Sequence, residues 1–376
     1  VVIDEIHSLL RGDRGMQTLC LIERLCKTAG CRPRRVGLSA TIGNPQAAGR
    51  FLAAGSGRGT VIPACEGGKE VWRLSMEHFF NTPPQADEGK AVEAAPSLEE
   101  PTDKAPKAAD PGIGYIFEHT RGKKCLVFTN SREECEAVCQ SLRQYCEANH
   151  EPDRFLIHHG NLSASYRESA EEEMKDDDSL LSVCATATLE LGIDIGKLER
   201  AFHIDAPFTV SGFLQRLGRT GRRGEPSEMW FVMREDHPEP RAMLPDMIPW
   251  RLIQGIALVQ LYLEERFVEP HRTDRLPYSL LYHQTMSPLA SCGEMTPGEL
   301  ASRVLPLSCF HRITQEDYRV LLRHLLESDH IQRTENGGLI VGLTGERIVN
   351  KYKFYAVFQE NVEYSVRAGS EELGTI

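Results

Sequence analysis

The stretch that decides the fold is residues 1–7, Val-Val-Ile-Asp-Glu-Ile-His, a short β-branched apolar run followed by two carboxylates and a histidine. A continuous Val/Ile run is typical of a buried strand in a parallel sheet. Ligand-binding groups of open α/β sheets lie just beyond the carboxyl ends of such strands, where Asp4 and Glu5 follow. One carboxylate can hold a magnesium ion while its neighbour polarises an attacking water, which predicts a nucleotide site. The alternative is a strand end whose acidic pair is merely solvated.

The composition is that of a globular chain with an acidic balance. Its 376 residues permit two or three domains, and 41% of them are hydrophobic, which is enough to form buried cores. The formal net charge of -11 argues against nucleic-acid binding by overall attraction, so any such binding must use local basic surfaces. The eleven cysteines contain no Cys-x-x-Cys pair and are predicted to be reduced thiols. No apolar run approaches the ~20 residues of a membrane span, so we expect a cytoplasmic location and no membrane partner.

Residue 1 already stands inside the predicted strand, so we interpret the chain as part of a longer protein. The sequence has no Gly-x-x-x-x-Gly-Lys-Ser/Thr loop, and the expected phosphate-binding loop would precede residue 1. For this reason the chain by itself is expected to be inactive.

The rest of the first block alternates helices with strands. A helix is predicted over 15–27, an apolar strand that ends in hydroxyl residues over 35–42, and a further strand over 76–80. Residues 85–110 then change to Ala, Pro, Glu, Asp and Lys without an aromatic residue. Such a composition cannot form a packed core and predicts a disordered acidic linker.

A second α/β block follows the linker. Its predicted elements are strands at 124–132, 155–157, 180–185 and 200–205, with a helix at 132–148. Helices that alternate with strands indicate a parallel, doubly wound sheet. Beyond these strands, residues 215–223 hold four arginines within eight positions, and arginine forks suit anionic oxygens. A solvated basic patch is the alternative.

The order of the motifs resembles that of superfamily 2 helicases. The five matching patterns are Asp-Glu-x-His at 4–7, Ser-Ala-Thr at 39–41, Phe-Thr-Asn-Ser-Arg at 128–132, Gly-Ile-Asp-Ile at 192–195 and Gln-x-x-Gly-Arg-x-Gly-Arg at 215–222. The resemblance covers residues 1 to about 235. Two stretches resemble the large helicase-related, or Lhr-like, branch of the superfamily. They are Leu-Glu-Leu-Gly-Ile-Asp-Ile-Gly at 189–196 and His-His-Gly-Asn-Leu-Ser at 158–163.

The resemblance implies that ATP and Mg²⁺ are the cofactors. Asp4 would hold the magnesium ion, and Glu5 would orient and activate the attacking water. His7 would take part in catalysis and, with Ser39 and Thr41, would couple the ATP and nucleic-acid sites.

The same resemblance assigns roles in the second lobe. Gly192 and Asp194 would contact the ribose and the region of the catalytic water. Arg219 and Arg222 would act as arginine fingers, with Gln215 beside them. The residues that would touch the nucleic-acid backbone are Thr129, Asn130, Arg132, His159 and Thr186.

The C-terminal third is predicted to be helical and then β-rich. Its predicted elements are helices at 250–265, 296–305 and 314–328, a hairpin at 330–341 and alternating strands at 354–366. Helices followed by a hairpin suggest a winged helix, which Lhr-like helicases carry after the second lobe. Residues 290–350 contain more acidic than basic side chains. The predicted winged helix can therefore be either purely structural or DNA-binding.

The expected fold class is therefore α/β, with two RecA-like parallel-sheet lobes of which the first is incomplete. The expected domains are the first lobe at 1–84, the linker at 85–111, the second lobe at 112–240, a helical and winged-helix domain at 241–352, and the start of a β-rich domain at 353–376.

The leading hypothesis is an ATP-dependent 3'-to-5' translocase that acts on DNA and serves repair, where polarity and repair come from the resemblance alone. The alternatives are an RNA helicase and, for this chain as it stands, a non-catalytic nucleic-acid-binding module. Phosphate contacts would give little sequence preference.

Overall fold

The computed structural model describes residues 1–10, 12–63, 71–81, 110–162, 164–176, 179–189, 195–221, 225–239, 241–270, 276–355, 365–368 and 371–375. These residues divide into two units. The first unit comprises residues 1–39, 44–63 and 270–376, and the second comprises 40–43 and 64–269. The chain therefore leaves the first unit after Ser39 and returns to it at Asn44.

The N-terminal part of the first unit has a short parallel pair of strands and two helices. Its elements are β1 (Val2–Ile3), α1 (Asp13–Ala29), β2 (Val36–Gly37) and α2 (Pro45–Ala53). The strand predicted over 35–42 has only two paired residues, Val36 opposite Val2 and Gly37 opposite Ile3. The helix predicted over 15–27 is confirmed within α1, which ends at Gly30 in the left-handed conformation.

The second unit is built on one six-stranded sheet. Its elements are β3 (Trp72–Phe80), α3 (Pro111–His119), β4 (Cys125–Phe128), α4 (Arg132–Ala148), β5 (Phe155–His158), α5 (Ala164–Lys175), β6 (Ser182–Ala185), β7 (Arg200–Ile204), α6 (Val210–Leu217), β8 (Ser227–Glu235) and α7 (Trp250–Glu265). The strand order is β3-β8-β7-β4-β6-β5, and every neighbouring pair is parallel. The prediction of a parallel, doubly wound α/β sheet is confirmed.

Two apolar layers cover the sheet. Ile116 and Phe117 of α3 and Leu142 of α4 belong to one buried cluster with alternate strand residues. Phe213 of α6 and Leu258 of α7 belong to a second cluster with the other strand residues. Because successive strand side chains point to opposite faces, each central strand is apolar on both sides.

The strand β3 lies in a different place from the one predicted. The predicted boundary at residue 84 assigns it to the first lobe, whereas β3 pairs along its whole length with β8, from Trp72 opposite Ser227 to Phe80 opposite Glu235. The indole of Trp72 also stacks on Tyr262, with ring centroids 5.3 Å apart. This strand therefore completes the edge of the second sheet.

The helix α7 also belongs to the second unit, although residues 241–352 were expected to form one domain. Gly255 allows α7 to approach the sheet closely, since a Cβ there would lie 2.4 Å from Cε of Met233 and 3.1 Å from Cε of Met76. The predicted helix at 250–265 is confirmed, but it packs on the second-lobe sheet.

The C-terminal part of the first unit has three helices followed by a hairpin. Its elements are α8 (Tyr278–Cys292), α9 (Pro297–Val304), α10 (Gln315–Glu327), β9 (Ile331–Arg333), β10 (Leu339–Val341) and α11 (Leu343–Val349). The helices predicted over 296–305 and 314–328 are present, and capping boxes begin both, at Thr296 and at Thr314. The predicted hairpin is the antiparallel pair β9 and β10.

Of the range 354–366, where strands are predicted, the structure describes only residues 354–355 and 365–366, and the second pair lies in a strand. Phe354 lies in a 3-10 turn, Tyr352–Tyr355, which packs on the helices. Residues 356–364 lie outside the described residues. The antiparallel strands β11 (Ser365–Ala368) and β12 (Glu371–Thr375) follow.

The helix α1 shares the buried core of this C-terminal module. Cys20 is 1% exposed and lies in the same apolar cluster as Leu280 and Phe310. The buried carboxylate of Glu23 accepts the backbone N–H of Ser308 at 3.1 Å. Residues expected to form two separate domains, 1–84 and 241–352, are therefore joined in part into one unit by long-range packing. Within the described residues, no helix is long and apolar enough to cross a membrane.

Candidate nucleotide and nucleic-acid site

The acidic pair begins the site in the first unit. Asp4 and Glu5 directly follow β1, as the sequence predicts, and Glu5 adopts a left-handed backbone with φ 49°. Oδ1 of Asp4 accepts the backbone N–H of Glu5 at 2.9 Å. Asp4 is exposed, so its carboxylate can reach a hydrated ion. Magnesium keeps several waters and takes one or two carboxylates with phosphate oxygens, and an exposed single carboxylate fits that requirement.

A histidine links the acidic pair to the Ser-Ala-Thr segment. Nδ1 of His7 lies 3.2 Å from Oε2 of Glu5 and 2.6 Å from Oγ of Ser39. Three of the predicted residues are thus brought together at the carboxyl ends of β1 and β2. Such a chain of polar contacts transmits the position of one group to the next.

The other end of the same segment contacts the arginine-bearing helix of the second unit. Nε2 of Gln215, on α6, donates to Oγ1 of Thr41 at 3.2 Å. The helix α6 begins at Thr209, whose hydroxyl accepts the N–H of Gly212. Arg219 follows α6, while Gly192, Asp194 and Arg222 lie outside the described residues.

The buried arginine of α6 was not among the predicted site residues. Arg216 is 6% exposed, and its guanidinium contacts Nε2 of His203 and lies 5.2 Å from the ring centroid of Phe128. Burial, and next the charge of Arg216, hold the pKa of His203 well below its usual range. His203 is therefore neutral and accepts from Arg216, because Nδ1 faces the carbonyls of Ile204 and Asp205. Arg216 stands within the predicted arginine-rich run, which is the signal that could have found it.

The five residues predicted to touch nucleic acid all follow the carboxyl ends of three adjacent strands. Thr129 follows β4, His159 follows β5 and Thr186 follows β6. The parallel topology therefore brings them to one edge of the sheet, which we call the carboxyl edge. The opposite edge, where the same strands begin, is the amino edge.

The exposure of these five residues differs. Arg132 is exposed, and Asn130 and Thr186 are half-buried. Thr129 is fully buried and donates its hydroxyl to the carbonyl of Ser131, so its side chain shapes the loop. His159 is also buried, with Nε2 3.0 Å from Oε1 of Glu136.

Comparisons with known proteins agree with this geometry. A model of the helicase conserved C-terminal domain matches residues 111–224. The ATP-dependent helicase Lhr-Core of Methanothermobacter thermautotrophicus is 32% identical over 226 residues, which cover 59% of this chain and 24% of that protein. The Lhr helicase/probable uracil glycosylase of Mycolicibacterium smegmatis is 27% identical over 258 residues, covering 61% of this chain and 16% of that protein.

Solved structures show the same fold. The Mycobacterium smegmatis helicase Lhr, solved with ssDNA and AMP-PNP, matches 93% of this chain and 42% of its own, with a TM-score of 0.71 and 22% identity. The DUF1998 helicase MrfA, solved with DNA and AMPPNP, matches 95% of this chain and 43% of its own, with a TM-score of 0.58 and 19% identity.

The parallel sheet and the match over residues 111–224 show that this part of the chain is similar to the helicase conserved C-terminal domain. Over about 60% of its length the chain is similar to Lhr-like helicases, the branch that its sequence motifs resemble. It spans about a quarter or less of the length of these curated relatives.

Proposed function

We propose that the whole protein is an ATP-dependent helicase that couples ATP hydrolysis to movement along nucleic acid. One observation carries the proposal. The tripeptide 39–41 contacts the acidic pair through Ser39 and His7 at one end, and the arginine-bearing helix through Thr41 and Gln215 at the other. Residues 39–41 therefore carry the chain from the unit that holds the acidic pair to the unit that holds α6.

The proposed roles of the residues follow their positions. Asp4 holds Mg²⁺, which would neutralise charge on the phosphates, and Glu5 orients and activates water while His7 fixes its carboxylate. Arg219 and Arg222 stabilise charge that develops on the transferred phosphoryl group, and their guanidinium forks suit its oxygens. Gly192 and Asp194 contact the nucleotide.

The proposed nucleic acid is DNA, bound along the carboxyl edge by Arg132 and the loops around it. Support comes from the relatives: the Lhr helicase of Mycobacterium smegmatis was solved with ssDNA and MrfA with DNA. We further propose 3'-to-5' movement and a role in DNA repair, and a winged helix formed by α8 to β10. A reducing, cytoplasmic compartment suits the ten described cysteines, which are all free thiols.

The mechanism is tested by Glu5→Gln in the full-length protein. The amide keeps the shape of the carboxylate but loses the charge that activates water, so ATP binding should persist while turnover falls by about 10²-fold or more. Turnover would be measured with saturating ssDNA and, separately, with RNA of the same sequence. Glu118→Gln is the matched control and should keep wild-type turnover. Glu118 forms an ion pair with Arg121 on the surface, and such pairs contribute little to stability.

Unchanged turnover in Glu5→Gln would remove Glu5 from the catalytic role. Stronger stimulation by RNA than by DNA would favour the RNA-helicase alternative. If the full-length wild-type protein bound nucleic acid but hydrolysed no ATP, a non-catalytic binding module would replace the proposal.

A further inference from the structure

Arg234, the penultimate residue of β8, joins the beginnings of two helices at the carboxyl edge. Its Nη1 donates to Oδ2 of Asp110 at 2.8 Å, and its Nη2 donates to Oε1 of Glu134. The other oxygen of Asp110 caps α3 by accepting the N–H of Gly112 at 2.8 Å. Because the guanidinium fork is rigid, it fixes both carboxylates, and with them the first turns of α3 and α4, relative to β8.

The backbone of the same residue holds the loop that follows β7. The N–H of Arg234 donates to Oδ1 of Asp205 at 3.0 Å. Oδ2 of Asp205 accepts from Nη1 of Arg251 at 3.0 Å, and the same nitrogen donates to the carbonyl of Arg234 at 2.9 Å. Asp205 has a left-handed backbone with φ 58°, a conformation that needs such contacts to persist.

Both arms of this network end at Asn130, in the loop proposed to touch nucleic acid. Its backbone N–H donates to Oε2 of Glu134 at 3.3 Å. Its side-chain Nδ2 donates at 2.9 Å to the carbonyl of Ala206, directly after Asp205. Glu134 therefore holds the backbone of Asn130, and the carbonyl of Ala206 holds its side chain.

We propose that Arg234 is a positioning residue for nucleic-acid binding, whose guanidinium acts on the loop 129–131 through Glu134 without touching the ligand. This inference rests on the proposed function of the carboxyl edge. A loop that presents donors to phosphates binds best when its conformation is fixed before the ligand arrives. Removal of the Arg234 side chain frees the carboxylates of Asp110 and Glu134, so the backbone N–H of Asn130 is left bonded to a carboxylate that is no longer held. The bond from Asp205 to the backbone N–H of residue 234 persists.

The same sheet offers a matched control at its amino edge. Arg200, the first residue of β7, is 7% exposed, and its Nε donates to Oε1 of Glu228 at 2.6 Å. Its guanidinium lies 3.5 Å from the ring centroid of Trp230. Arg200 and Arg234 are both arginines largely withdrawn from solvent and paired with carboxylates, but only Arg234 reaches the predicted nucleic-acid loop.

The experiment uses the full-length protein and the variants Arg234→Met, Arg234→Lys and Arg200→Met. The ssDNA concentration that half-saturates ATP hydrolysis, the turnover at saturation and the unfolding midpoint would be measured for each. Hydrogen exchange of the peptide that covers residues 129–134 provides a readout independent of activity, because the Asn130 amide is one of the bonds at issue.

We expect Arg234→Met to raise the half-saturating ssDNA concentration by about tenfold, which corresponds to about 1.4 kcal/mol of binding free energy. The Asn130 amide should exchange about tenfold faster. Arg234→Lys keeps the charge but loses the fork, and should show about a threefold rise in both. Arg200→Met should lower the unfolding midpoint while both readouts stay at wild-type values.

The inference is overturned if the Asn130 amide exchanges at the wild-type rate in Arg234→Lys and Arg234→Met, or if Arg200→Met raises the half-saturating concentration equally. If the wild-type protein shows no ssDNA-stimulated hydrolysis but exchange still rises only in the Arg234 variants, the proposed function has failed while the link from Arg234 to the loop stands. Should Arg234→Met not fold, Arg234→Lys decides the outcome.

Discussion

The two edges of the six-stranded sheet use charged residues in different ways. At the amino edge, ion pairs join side chains of neighbouring segments, such as Arg200 to Glu228 and Lys197 to Glu225 at 3.0 Å. Lys197, Glu225 and Glu228 line a cleft of about 600 Å³, whose walls carry four cationic and three carboxylate side chains. At the carboxyl edge, Arg234 pairs with the carboxylates of Asp110 and Glu134, and these also accept from the backbone N–H groups of Gly112 and Asn130. At the amino edge the charged side chains neutralise one another, whereas at the carboxyl edge they also fix the conformation of a loop.

We therefore expect substitutions at the carboxyl edge to affect activity, and substitutions at the amino edge to affect only stability. Parallel strands all end on one side, so the loops that can share a ligand meet at the carboxyl edge. The amino edge receives the connections that return from helices and needs only to be stable.

The largest expected effect is on Arg219, which follows α6. Arg219→Lys keeps the charge but loses the planar fork, so turnover at saturating ATP and DNA should fall by about 10³-fold in the full-length protein. The same change in Arg222 should have a similar effect. Arg200→Lys is the amino-edge control and should keep wild-type turnover. Near wild-type turnover in both Arg219→Lys and Arg222→Lys would leave only a solvated basic patch.

The second test removes the ion pair between Arg200 and Glu228 at the amino edge. Arg200→Met leaves Glu228 without its nearest cation, so the free energy of unfolding should fall by about 3 kcal/mol in urea titration. Turnover of the folded fraction should not change. A loss of turnover at a temperature where the variant is fully folded would show that the two edges are not functionally distinct.

The third test concerns the residue beneath the carboxyl edge, His203. Its folded-state pKa is well below the usual value, so the unfolded chain binds more protons as the pH falls below about 6.5. Stability from this group is present above that pH and is lost below it, by up to about 1.4 kcal/mol per pH unit.

His203→Gln removes the titrating group and retains an acceptor for Arg216. Urea unfolding at pH 7.5, 6.5 and 5.5 should therefore give a flatter pH dependence for the variant than for the wild type. Parallel curves for the two proteins would mean that His203 does not titrate between the folded and unfolded states.

The smallest expected effect is that of the acidic segment before α3. The sequence predicts that deleting residues 85–110 preserves DNA-stimulated hydrolysis, but Asp110 caps α3 and pairs with Arg234. Deletion of 85–109 with a short Gly/Ser replacement should leave activity unchanged. Extending the deletion through Asp110 should cost about 1 kcal/mol of stability for the lost cap. Thermal unfolding and ATP hydrolysis of the two deletions compare them directly, and identical behaviour would remove Asp110 from the network.

The sequence by itself determined the parallel α/β class, two helices and the hairpin of the C-terminal module, and the strands that Asp4, Thr129 and His159 follow. These features depend on local periodicity, caps and strand ends, which neighbouring residues encode. Asp4 and Glu5 were predicted as site residues because they follow a strand directly, and their roles stay predictions.

Only the tertiary structure decided which sheet takes β3, which core takes Cys20, and how Arg234 reaches Glu134 and Asp110, 100 and 124 residues away. No local pattern states these pairings, because they arise when segments distant in the chain bury apolar surface together. Once that burial brings a guanidinium beside two carboxylates, pairing becomes the arrangement that avoids an uncompensated buried charge.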